Sequence, residues 1–117
     1  MTDPHHLRTS ALPWENPDVT SDRAIHAWRW RSLSEERDGV TVSMWKLDPG
    51  GADQVHHHDD TDEHIFVLVG EFRSGGSDYQ AGDYLFRPAG TPHSSSTKIG
   101  TELLLITVRS GQRPGGM

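Results

Sequence analysis

The chain has 117 residues, with 11 Lys+Arg against 17 Asp+Glu for a formal charge of −6, and no cysteine, a length that fits one domain and excludes two. No block of basic charge marks a nucleic-acid surface, and without thiols any metal must be held by histidine or oxygen, in keeping with a reducing cytoplasm. The longest apolar run, Ile65 to Val69, falls far short of the roughly 20 residues of a membrane-spanning helix. The N-terminus lacks the apolar core of a signal peptide, so a cytoplasmic protein with neither nucleic acid nor membrane as partner is expected.

Residues 1–22 contain Pro4, Pro13 and Pro17 and no helical apolar period, and read as a loosely attached arm. Residues 23–109 read as a single barrel domain, and the glycine-rich residues 110–117 as a flexible tail. Short segments rich in β-branched and aromatic residues recur between the two ends, which is the all-β sandwich or barrel pattern. Strands are predicted near Ile25–Arg31, Val40–Leu47, Val55–His58, Glu63–Phe72, Ser77–Tyr79, Tyr84–Arg87, His93–Lys98 and Glu102–Arg109. Asp38-Gly39, Pro49-Gly50-Gly51, Gly75-Gly76, Gly82-Asp83, Pro88-Ala89-Gly90 and Gly100 supply the turns between them.

Eight histidines are present, and four of them lie in the acidic stretch His56 to His64. In a strand His56 and His58 point the same way and His57 the opposite way. Two imidazoles can therefore converge on one ion, and a short turn and return strand would bring Glu63 beside them. Two histidines and a carboxylate with open positions suit non-haem Fe(II) and accommodate other divalent ions. His93, presented by the stiff turn Pro88-Ala89-Gly90-Thr91-Pro92, is a candidate fourth ligand.

The spacings Gly50-x5-His56-x-His58-x4-Glu63-x6-Gly70 and Gly82-x5-Pro88-x-Gly90-x2-His93 resemble the first and second cupin motifs. Thr97 stands where the second motif usually has Asn, outside the metal's own ligands. Val67-Leu68-Val69-Gly70-Glu71-Phe72, Asp78-Tyr79 and Gly82-Asp83-Tyr84 resemble the ChrR-like subgroup, which includes anti-sigma-factor cupins and small dioxygenases acting on diketones or hydroxyacetophenones. The resemblance covers roughly residues 25–109. It implies a double-stranded β-helix (jelly-roll) barrel, commonly dimeric, holding one divalent metal ion per chain (Fe, Zn, Ni or Mn) through His56, His58, Glu63 and His93.

Strand parity adds a reading of its own. If Glu63 faces the interior, so do Ile65, Val67 and Val69, leaving Phe66 and Leu68 outside on a face that calls for a cover, either a second copy of the chain or the N-terminal arm. Trp28, Trp30, Met44, Trp45, Ile65 and Phe86 are candidates for a small-molecule pocket above the metal; the plainer reading of the tryptophans is a hydrophobic lid or an interface. Arg29, Arg31 and Arg87 could meet a substrate carboxylate, with a surface salt bridge the plainer reading for each. His57 and His64 are expected in solvent or bonded to a carboxylate, and His5 and His6 exposed. Gly70 to Gly76 lacks the lysine and spacing of a phosphate-binding loop.

The expected function is a non-haem metal dioxygenase acting on a small diketone or hydroxyketone. The alternatives are a non-catalytic metal-dependent sensing module and a metal-assisted isomerase or hydrolase.

Overall fold

The computed structural model describes residues 6–15, 28–52 and 59–109. Within them the chain forms a short 3-10 turn, Thr9–Ala11, and strands β1 (Trp28–Arg37), β2 (Val40–Leu47), β3 (Thr61–Ser74), β4 (Ser77–Gln80), β5 (Tyr84–Arg87) and β6 (Thr101–Arg109). The strands pair antiparallel in the order β1-β2-β6-β3-β4, with β5 also on β3. The all-β expectation therefore holds, and β2 and β5 span the predicted residues. The predicted strand Val55–His58 lies outside the described residues. No helix among them is long and apolar enough to cross a membrane.

Turn chemistry sets the register. Asp38 and Gly39 both have positive φ, 51° and 81°, the backbone of a two-residue hairpin whose twist matches the strands it joins. Gly70 ends the first motif for a different reason: at φ +79°, a Cβ there would stand 1.9 Å from the Gly100 carbonyl oxygen. The contact is where β3 passes closest to the start of β6.

Register also stacks the inward side chains in rows. Trp28 pairs with Leu47; Trp30, Trp45, Leu103 and Val67 form the next row; then Ser43, Leu105, Ile65 and Leu85; then Thr41, Thr107, Glu63 and Arg87. The first rows, with Phe72, make the buried core. Trp28 meets Trp45 edge-on at 5.3 Å and Trp30 stacks on it at 5.6 Å. From the closed end to the open end, the interior passes from aromatic and aliphatic to polar.

Several expectations are corrected. His93–Lys98 is no continuous strand. Ser96 makes isolated bridges to Ala52 and Arg73, and the Thr97 amide turns to Gly51, so the segment divides its backbone bonds between two neighbours. Val69 faces out, 52% exposed, because a register shift between Val67 and Val69 reverses the alternation beyond it. β1 continues to Arg37 through two such irregularities, which hid the strand behind Glu35, Glu36 and Arg37.

Residues 6–15 are not loosely attached. Glu15 and Trp30 exchange both backbone hydrogen bonds, at 2.7 and 2.9 Å. Arg31 donates to the Leu12 carbonyl at 3.3 Å and lies 4.0 Å from the Trp14 ring centroid, a cation–π contact on a buried guanidinium.

Gly70→Ala and Gly50→Ala separate conformation from crowding. Gly50 shares a positive φ, but a Cβ there meets nothing within 4 Å among the described residues, so its replacement costs about 1–2 kcal/mol. Gly70→Ala adds the backbone overlap and should cost at least about 2 kcal/mol more. Urea unfolding of the two variants checks this; equal losses would contradict it.

Candidate metal centre

Glu63 sits in the polar row, buried, with Arg87 directly opposite it on β5. Arg87 Nε and Nη2 both reach Glu63 Oε1 at 3.1 Å. Its Nη1 donates to Ser74 Oγ at 3.1 Å, Ser95 Oγ at 3.2 Å and the Ser94 carbonyl at 3.5 Å, and its guanidinium lies 5.9 Å from the Phe72 ring centroid. This corrects the surface reading of Arg87: only 11% of its side chain is exposed. The hairpin register of β3 and β5 carried that information, since a residue opposite an inward Glu63 must itself point inward.

His93, also buried, brings Nε2 to 3.4 Å from Glu63 Oε1. The turn before it is fastened to β3 by Asp62, whose Oδ1 accepts the Ala89 amide proton at 2.8 Å. Asp62, not foreseen from the sequence, thus sets the turn beside its neighbour Glu63. Thr97 donates to the Glu71 carbonyl at 2.5 Å and accepts the Gly100 amide proton at 2.9 Å, tying the segment down on its far side.

The expected ligands His56 and His58, and His57 between them, lie outside the described residues. Among the described residues no three metal-ligating side chains converge; what converges is Glu63 with His93. Two donors each about 2.1 Å from one ion and about 109° apart are separated by about 3.4 Å, the observed distance. Glu63 Oε2 takes no hydrogen bond from the described residues. A carboxylate oxygen and an imidazole nitrogen suit divalent iron, manganese, nickel and zinc alike, so the residues present fit a metal ion.

The remaining candidates separate by face. Trp28, Trp30, Trp45 and Ile65 point inward with Glu63, Trp28 and Ile65 being buried. Met44 and Phe86 are corrected to the outer face. Met44 pairs with Arg31 and Leu104, and Phe86, 44% exposed, packs on His64 at 4.9 Å. His64 is on that face too, its Nδ1 2.7 Å from the Tyr84 hydroxyl, so its partner is a phenol and no carboxylate. Arg29 makes the expected surface pair with Asp48 at 3.1 Å; Arg31 does not, being held under Trp14. His6 is exposed, and His5 lies outside the described residues.

A protein-family model described as the ChrR Cupin-like domain matches residues 3–112. The "Putative dioxygenase SSO1533" of Saccharolobus solfataricus is 33% identical over 106 residues, 87% of this chain; the chain spans 25% of that protein's length. A structure from Methylibium petroleiphilum PM1, titled as a "putative acetylacetone dioxygenase", superposes with a TM-score of 0.76 at 14% identity, over 93% of this chain and 78% of the other. KdgF from Halomonas sp. gives 0.73 at 15% identity, over 97% and 96%. A sugar phosphate isomerase from Silicibacter pomeroyi gives 0.75 at 20%, over 90% and 76%. At these identities the structural likenesses show a shared fold.

The Glu63–Arg87 pair makes a testable demand on stability. Arg87→Met leaves a buried carboxylate without its cation and should cost about 3–5 kcal/mol in metal-free protein. Adding Glu63→Gln should return part of that loss. Chemical denaturation of the single and double variants measures it, and a double variant less stable than Arg87→Met alone would refute the pairing.

Proposed function

The chain belongs to the ChrR cupin-like family, and from that premise we propose that it is a metal-dependent dioxygenase acting on a small diketone or hydroxyketone. The observation that carries this reading is the Glu63–His93 pair, set 3.4 Å apart inside the barrel. His56 and His58 complete the proposed ligand set, one ion per chain. An iron-type ion in such a site supplies Lewis acidity and a place for dioxygen. The similarity to the Saccharolobus solfataricus protein, which bears the name "Putative dioxygenase", supports the same chemistry.

The chain's own residues have separable roles. Arg87 holds Oε1 of Glu63, the oxygen beside His93 Nε2, and no described residue hydrogen-bonds Oε2. Ile65, Leu105 and the tryptophan rows form a dry floor that excludes bulk water from one side, strengthening polar contacts made above it. Asp62 and Arg87 together keep the His93 segment against β3.

Elemental analysis with oxygen-uptake assays tests this reading. About one equivalent of iron per chain is expected, lost from His56→Ala and His93→Ala, with oxygen consumption on diketones or hydroxyketones lost alongside. One equivalent of zinc, nickel or manganese without oxygen uptake would replace the dioxygenase by a sensing, isomerising or hydrolytic cupin. Metal content unchanged in both variants would reject the ligand set.

A homodimer belongs to the same proposal. Phe66, Leu68, Tyr84 and Phe86 are 40–48% exposed on the outer face, and the docked residues 6–15 engage Trp30 and Arg31. Those four side chains carry no charge, so a patch made of them can meet its own copy about a two-fold axis without opposing like charges on a chain of net charge −6. Phe66→Glu should shift sedimentation from dimer to monomer; a parent already monomeric would end the proposal.

A further inference from the structure

Half-buried strands normally place apolar residues inside and polar ones outside. At the closed end this protein obeys: Trp45 and Leu47 on β2, with Leu103 on β6, face the core. At the open end the pattern inverts. Thr41, Ser43 and Thr107 face inward with Glu63, while Val40, Val42, Met44, Leu104, Ile106 and Val108 occupy the alternate positions. The inversion takes in Thr41 and Ser43 on β2 and Thr107 on β6, where Leu105 still faces inward beside Ser43; local breaks of this kind concentrate at functional sites.

The hydrogen bonding of these three hydroxyls leaves donors unspent. Thr41 Oγ1 and Thr107 Oγ1 bond to each other, so one of the two protons is used and the other has no acceptor among the described residues. Ser43 Oγ accepts the Trp45 Nε1 proton at 3.0 Å; the serine's own proton likewise has no acceptor there. All three side chains are half-buried, in the two rows that also carry Glu63 and Ile65. A wall of hydroxyl groups thus stands beside the carboxylate, able to give protons to a ligand oxygen and to accept from a ligand hydroxyl.

The geometry points to Thr41, Ser43 and Thr107 as specificity-determining residues that select a small hydroxyketone over an alkyl diketone. A hydroxyl on the ligand pairs with this wall, whereas a methyl group there buries the wall's donors without partners, the larger of the two errors a binding site can make. The inference rests on the proposed metal centre, because the ligand's carbonyl end is assigned to the Glu63–His93 side of the same inward face.

Dihydroxyacetone and 2,4-pentanedione are the probes, titrated into zinc-loaded and metal-free full-length protein and followed by ligand-observed NMR. The parent should bind dihydroxyacetone about tenfold or more tightly than the diketone. The Thr41→Val/Thr107→Val double variant replaces both partners of a hydrogen bond by groups of the same shape, which keeps the fold. It should weaken dihydroxyacetone about tenfold and leave the diketone within about twofold, with Ser43→Ala moving the ratio the same way. A parent that prefers the diketone, or variants that change both ligands equally, would overturn the inference. Failure of zinc to bind would instead remove the proposed metal centre, and the preference measured on the metal-free protein would still decide the role of the wall.

Discussion

Glu63 is a carboxylate held out of water, and Arg87 is what makes that placement tolerable. An isolated buried charge costs several kcal/mol, and it persists only where an opposite charge and further hydrogen bonds surround it. Arg87 supplies both. One side of its guanidinium takes Glu63 Oε1, and the other reaches Ser74 at the end of β3 and the Ser94–Ser95 backbone and hydroxyl. The cation that neutralises the carboxylate therefore also fastens the segment that carries His93. Two donor groups from distant parts of the chain meet because one arginine is shared between them.

That arrangement explains how an irregular segment holds a chemical group in place. Residues 88–98 have little ladder of their own, with isolated bridges at His93 and Ser96. Their position comes from single side chains aimed at backbone groups: Asp62 to Ala89, Arg87 to Ser94, Thr97 to Glu71 and Gly100. Of these three side chains, Asp62 lies on β3 and Arg87 on β5, and Thr97 bonds to Glu71 of β3. The long strand β3 thus acts as the spine of the site, and the bulge after Val67 reverses its alternation, so that beyond it Phe72 and Ser74 are the buried residues.

The sequence was most legible where a spacing has a single geometric meaning. The β2 and β5 segments are short runs rich in β-branched and aromatic residues between turn residues, and their bounds follow from the sequence to the residue. Glu63 and His93 came from motif spacing, and the structure brings them together. Parity was less secure. It held from Glu63 to Leu68 and failed at Val69, because a bulge leaves no signature in an unbroken run of apolar residues. Met44 and Phe86 were misplaced for a related reason: an aromatic or thioether side chain is an equally good candidate for either face when both faces are apolar. Arg87 is among the sequence candidates but is placed at the surface there, because a charged residue ordinarily seeks water, and only its pairing with an inward carboxylate reverses that expectation.

The same reversal accounts for the protein's division of labour between its two ends. Its buried apolar residues are few and gather around Trp28, Leu47, Phe72 and Leu103 at the closed end, where Gly70 lets β3 approach the start of β6 closely enough to seal it. Cohesion concentrated there leaves the open end free to hold groups that contribute little to packing. Half-buried threonine and serine hydroxyls on the inward face add less stability than leucine would, and an ion pair beside them is no better than neutral against an apolar substitute. Selection for stability alone would fill that end with aliphatic side chains, as it has on the outer face of the same strands. The polar interior is therefore the part of the fold that packing does not explain.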